Sequence, residues 1–448
     1  MQSQNVEDLG SLGIPQLLLR YSIPTILATV IHATYNVVDR IFVGRLCGED
    51  ALAAITVCFS PTLLFLAVSM TIGHGSATIL SIKLGQGDVR AAERTLSQSI
   101  FLFFLFYLAV ASVTLVYMRE MLAFFGATER IIGDACAYYR IIICGLIFEK
   151  LSGGMTHVIR AEGRPAYAMA TMFITAWANI VLDYLFMAVL EMGVQGAAYA
   201  TVAAQFIGTF WVAYFYASGR GCLKLRIGDF RLHRDLIGSV CAAGSPSFIM
   251  QIFASLSVAF YIIQANRYGS EATIAVVGIA TAITTFMFLP IVGLGTCMQP
   301  IIGYNWGAGN MERVRKAFKL GAAVATAICA GFFILGECCP RLLYMIFLGR
   351  GSELLDAGAR VLRILILCYP LIGVNIIASH FFQSTKQPSF AIFVAVLRQG
   401  VFLIPLLYFL PMYFGLDGLW ASFPLSDIAA FIATVFFIRR RIFPRKSL

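Results

Sequence analysis

The chain has 448 residues, 59% of them hydrophobic and 12% charged, with a net charge of +10 and a mean hydropathy of +0.83. A soluble domain carries about twice that charged fraction, and no polar stretch here is long enough to make one. The basic residues are dispersed at the ends of apolar runs rather than gathered into a patch, which argues against a nucleic-acid partner.

Apolar runs of about 20 residues or more recur along the whole chain, so an all-α integral membrane protein is expected. The polar start, MQSQNVEDLG, lacks the basic region of a cleaved leader, so the first span should be retained. Six spans are expected at about 16–43, 51–82, 95–118, 131–159, 165–190 and 194–218, and six more at about 237–266, 273–304, 317–340, 354–384, 388–411 and 416–438. Alternate loops and the carboxyl-terminal tail hold most of the Lys and Arg, among them Lys83, Arg90, Arg164, Arg220 and Arg226. The opposite loops hold Arg45, Arg119, Arg130, Arg267, Arg341 and Arg350, which puts both termini in the cytoplasm. The eleven cysteines include no CxxC pair, and most lie in apolar runs as small hydrophobes.

The chain also repeats itself. Pro24 and Pro246, Arg45 and Arg267, Gly73 and Gly295, Gly85 and Gly307, and Gly87 and Gly309 all share the offset 222. This divides the chain into pseudo-symmetric six-helix lobes, 1–218 and 237–448, joined by a basic cytoplasmic linker, 219–236. Each repeat has an even number of spans, so the halves enter the membrane from one side and substrate is expected between them.

Charged groups inside such spans cost roughly 3 kcal/mol or more and are functional candidates by default. Asp39 lies near the end of the first span, and His32, Asn36 and Asp39 share one helical face. An interfacial aspartate paired with Arg40 or water is the bland alternative. Asn179 and Asp183 share a face of the fifth span, and Thr201 lies at similar depth in the sixth. Oxygen ligands of this kind suit sodium, at Asp39, Asn179, Asp183 and Thr201, with Asn36 a further cation-coupling candidate. Two nearby carboxylates also suit a proton, which relieves the repulsion between them. In the second half Asp39 falls on Tyr261, so cation coupling is expected in the first half and substrate contacts in both. Pro24 interrupts the first span and is either a static kink or a hinge. His32, Tyr35, Trp177, Met172, Tyr261, Met287 and Gln299 are weaker candidates for a substrate cavity, packing being the alternative for each. Glu149, Lys150, Arg398 and Asp427 could be interhelical pairs or functional groups. No GxxxxGK[ST], HExxH, GxSxG or spaced Cys/His set occurs, so neither an enzyme nor an ATP-driven pump is expected, and no cofactor.

Three segments, YNVVDRIFVGRLCGEDALAA from Tyr35, NIVLDY from Asn179 and QPIIGYNWGAGN from Gln299, resemble the multidrug and toxic compound extrusion (MATE) family of the MOP superfamily, and the resemblance covers essentially the whole chain. It is nearest the DinF-like bacterial branch and its MepA-type exporters. The resemblance implies twelve helices in two six-helix lobes and a monomer in the bacterial cytoplasmic membrane. It implies export of cationic or amphipathic drugs and dyes, with antibiotic resistance as an outcome, against H+ or Na+ entry by alternating access. Asp39, Asn179, Asp183 and Thr201 match the branch's cation site, and Pro24 its bending proline. Acids used by another branch in the seventh and tenth helices are not matched. A lipid-linked precursor flippase of the same superfamily is the alternative; it should have a more cationic cavity.

Overall fold

The computed structural model describes residues 4–230, 233–349 and 351–442. Arg350 and the tail beyond 442, both counted among the orienting charges, lie outside the described residues. The described chain is almost entirely helical, as a backbone in hydrocarbon must be to satisfy its own polar groups.

The spans run Ile14–Leu46, Glu49–Gly85, Val89–Val116, Ile132–Ala161, Pro165–Val189, Gly193–Ala217, Arg234–Tyr268, Glu271–Gly307 and Met311–Cys338. The tenth is broken into Leu354–Ile366 and Tyr369–Ser384, bent by 46°. Pro388–Arg441 is continuous for 54 residues, but Gly415 adopts φ 57° and ψ −135° inside it and divides it into the eleventh and twelfth spans. The sixth span is long enough to cross at 25 residues but less apolar than its neighbours, because Gly, Gln, Thr and Tyr interrupt it. Twelve spans therefore account for the described residues, as the twelve-helix fold class requires. Short helices at Gln4–Ser11, Met118–Phe124 and Pro340–Leu348 add to them.

The chain divides into two compact units. Unit 1 comprises Met1–Gly13, Leu19–Gly244 and Gly303–Gly309. Unit 2 comprises Ile14–Leu18, Ser245–Ile302 and Asn310–Leu448.

The repeated glycines have physical roles. Gly87 and Gly309 sit at φ 76° and 72°, where only glycine is unstrained, and the next residues, Asp88 and Asn310, cap the third and ninth spans through the Ala91 and Arg313 amides. Within unit 1, a Cβ on Gly85 would lie 2.0 Å from the Tyr304 carbonyl oxygen, and one on Gly307 would lie 2.2 Å from that of Ile82. These are backbone-on-backbone crossings of the kind small residues permit between membrane helices. Gly307→Val should destabilise the protein by at least about 1–3 kcal/mol, an overpacking cost, read as a lowered melting temperature in detergent. Gly133→Ala, with open space around its Cβ position, is the control.

The linker is lashed to the helix ends of unit 1. The Glu162 carboxyl accepts from Tyr216 Oη at 2.7 Å and the Cys222 amide at 3.1 Å. Glu93 accepts from the Lys224 amide and from Arg226 Nε at 2.9 Å, and Asp229 pairs with Arg90 at 2.8 Å. Burial pushes the Glu162 carboxyl up from 4.5 to about 7, although the bonds from Tyr216 and Cys222 pull the other way. The fold thus favours the protonated form. Its contribution is full below about pH 4.5 and is lost as pH rises through about 7. Amide exchange across 219–229, corrected for intrinsic rates, should be slower at pH 5 than at pH 8, and Glu162→Gln should flatten that difference. Equal pH dependence in both proteins would refute the assignment.

Candidate functional site

In unit 1 the fifth span changes winding at its critical residue: a regular α-helix ends at Asp183 and a π-helical turn, Tyr184–Val189, follows. Such turns widen the ladder and re-aim side chains, and they recur at functional positions. Asn179 and Asp183 lie four residues apart on one face and are fully buried. Asn179 Nδ2 reaches Asp183 Oδ1 and Thr201 Oγ1, each at 3.4 Å. Asp39, from the first span, sets its carboxyl beside that of Asp183. Counted from the near end of each span at about 1.5 Å per residue, the three helices deliver these groups at about 9–12 Å depth.

Three buried acceptor oxygens in this cluster, Asp39 Oδ1, Asp183 Oδ2 and Asn179 Oδ1, have no hydrogen-bond partner. Unpaired acceptors in one buried place are costly unless something positive visits them. Two carboxyls this close cannot both be ionised without a cation, so a proton or an oxygen-seeking ion fits the set. Among the described residues no cluster of three or more His, Cys, Asp or Glu occurs, so a softer metal does not fit.

Arg40, the alternative partner of Asp39, instead lies over the Phe59 ring, 4.8 Å from its centroid. Asn36 donates its side-chain amide to the His32 carbonyl of its own helix at 2.7 Å. Pro24 lies within the first span, ten residues into it, as the sequence suggests.

His32, Tyr35 and Met172 line a small cavity of about 20 Å³ with Glu149, Ser152 and Gln205. Trp177 is 62% exposed and lines neither this cavity nor the larger one beside Arg164. In unit 2, Tyr261 lines a cavity of about 240 Å³ together with Thr281, Thr284, Tyr369 and Arg398. Met287 and Gln299 are buried away from it. Gln299 donates to Gln383 at 3.0 Å, which donates to Ser247 at 3.0 Å, so it belongs to an interior hydrogen-bond chain. Met287 and Gln299 are thus packed in the interior and Trp177 is on an exposed face, a distinction that amphipathic patterning cannot make.

Two charged groups given little weight in the sequence prove structured. Lys150 is fully buried and pairs with Glu149 where a π-helical turn, Lys150–Gly154, begins, and Ser152 bonds Gln205 beside them. Arg398 stands in a third π-helical segment, Leu397–Leu403, and pairs with Asp427 at 2.6 Å. The signal available in advance was charge inside apolar runs; the local change of winding had none.

Comparison with known proteins resolves the family. The MatE family model matches residues 24–185 and 246–409, once in each repeat, beginning at the paired prolines. The chain belongs to the MatE family. A solved MATE multidrug transporter, DinF-BH with a bound ligand, is 34% identical, with a TM-score of 0.89 over 97% of this chain and 98% of that one. A MATE structure in complex with MaL6 superposes with a TM-score of 0.92 at 24% identity, over 97% of this chain and 98% of that one, a likeness of fold. The multidrug export protein MepA of Staphylococcus aureus (strain NCTC 8325 / PS 47) is 24% identical over 432 residues, 95% of this chain and 94% of the relative. The resemblance read from the three sequence segments is thus borne out, and membership of a transporter family agrees with the missing enzymatic motifs.

Proposed function

We propose that this MatE-family chain is a secondary multidrug exporter, moving cationic or amphipathic compounds out of the cell by antiport with H+ or Na+ through alternating access. The observation that carries the coupling half of this reading is the apposed Asp39 and Asp183 carboxyls with three unpaired buried oxygens around them. The names of the relatives, a multidrug export protein and a multidrug transporter, support the choice of cargo. The distribution of basic residues among the loops supports a topology with both termini in the cytoplasm of a bacterial cell.

Entry of a cation from the outer side neutralises the carboxyl pair and satisfies Asn179 and Thr201. That change in charge and hydrogen bonding on the first span is passed to Pro24, whose missing amide leaves the helix free to bend there. The altered span releases the drug outward, and loss of the cation to the cytoplasm restores the drug-binding form. A flippase for a lipid diphosphate would need net positive charge in a cavity deep within the spans, whereas Arg398, the arginine lining the Tyr261 cavity, is neutralised by Asp427. The experiment is efflux of a fluorescent cationic dye from proteoliposomes under an imposed pH gradient, a sodium gradient or neither. Efflux driven by one gradient identifies the ion. Flux indifferent to both would remove the antiport reading.

A further inference from the structure

A second polar feature of unit 1 lies at the helix ends far from the carboxyl pair. A cavity of about 490 Å³ is lined by three arginines, Arg20, Arg164 and Arg220, together with Tyr167 and the 163–166 turn that opens the fifth span. Arg164 occupies the cap position of that 19-residue helix, no side chain caps it, and Pro165 follows. The first-turn amides of a helix have no partner within it and, with its dipole, favour an anion. Arg164 Nε is itself buried and unpartnered. The nearby acid, Glu162, feels the charge of Arg164 but makes no ion pair with it among the described residues, its oxygens being bonded to Tyr216 and the Cys222 amide. Arg220 lies over the Tyr214 ring, 5.2 Å from its centroid, without a carboxylate among the described residues. Arg20 bonds Asp8 at 2.6 Å, so one of the three charges is already offset.

The level of this pocket in the chain matters. Arg20 is six residues into a 33-residue helix, and Arg220 lies three residues beyond the end of the sixth span. A helix of that length is about 50 Å, well over the hydrocarbon thickness of about 30 Å, so its first turns stand among headgroups. Tyr167 stacks on Trp211 with centroids 5.1 Å apart and planes 9° apart, and donates to the Trp211 carbonyl. Such aromatic pairs are characteristic of a membrane interface.

We propose that this pocket binds a phosphate group, held by the forks of Arg164 and Arg220 and the first-turn amides of the fifth span, and that its bearer is an anionic phospholipid. Planar guanidinium groups pair bidentately with phosphate oxygens, and basic pockets at helix ends on the cytoplasmic side suit anionic headgroups. Assignment to the cytoplasmic leaflet rests on the topology proposed above; the site does not.

The test is native mass spectrometry of the full-length protein titrated with phosphatidylglycerol, with phosphatidylcholine and inorganic phosphate as separate arms. Wild type is compared with Arg164→Gln/Arg220→Gln, with the exposed Arg220→Gln alone in case the double variant does not fold, and with Arg119→Gln as a control outside the pocket. Phosphatidylglycerol should bind in preference to phosphatidylcholine, and affinity should fall about fivefold per arginine removed, with Arg119→Gln unchanged. Displacement of the lipid by inorganic phosphate at matched concentration would keep the phosphate site but overturn the phospholipid as its ligand in favour of a free anion. Equal lipid binding in wild type and pocket variants, or equal loss in Arg119→Gln, would overturn the proposal. No transport is measured, so failure of antiport leaves the result readable.

Discussion

Asp183→Asn should abolish gradient-driven efflux while leaving the fold intact. Asparagine keeps the shape and can still bond Asn179, its neighbour at 3.4 Å, but it cannot take up and release a charge. One charge moving through 100 mV is worth about 2.3 kcal/mol, a substrate gradient of about 50-fold. That contribution should vanish, so the steady-state dye gradient in proteoliposomes should fall to the level seen without an imposed ion gradient. Asp39→Asn should do the same, because the partner carboxyl alone no longer shares the cation. Gradient-driven efflux that survives Asp183→Asn at wild-type level would contradict the pair's role.

The second large effect is on stability, in unit 2. Asp427 is 1% exposed at the side chain and its partner Arg398 20%, with Nε and Oδ1 2.6 Å apart. Removing one member of a buried pair strands the other charge, at a cost of about 3–5 kcal/mol. Asp427→Ala should therefore lower the melting temperature in detergent sharply. Arg398→Met/Asp427→Leu, which removes both charges, should recover most of the loss. If the double variant is as unstable as Asp427→Ala, the pair's value lies in something other than mutual neutralisation.

Much of this was legible in the sequence because the bilayer leaves so few solutions. The repeat offset found the Gly87 and Gly309 turns and the Gly85 and Gly307 crossings, since positive φ and close backbone approach both exclude a Cβ. Asp39 and Asp183 were visible as charge inside apolar runs, and their meeting followed from equal depth. Other features were not visible. The π-helical turns after Asp183 and around Lys150 and Arg398 depend on how neighbouring helices pack, not on a local pattern. Gln299 bonds Gln383, 84 residues away, so nothing near it in sequence reports that it is structural. Trp177 could have faced lipid or cavity, and helical periodicity treats those faces alike.

Whether Asp39 and Asp183 bind the coupling cation is tested most directly by proton release. Purified protein in weakly buffered detergent solution is titrated with a fluorescent cationic dye, with and without sodium, and the protons set free per dye bound are counted. Wild type should release protons on binding dye, or bind dye less tightly as sodium rises, and Asp39→Asn/Asp183→Asn should do neither. Undiminished proton release or sodium competition in the folded double variant would place the cation elsewhere.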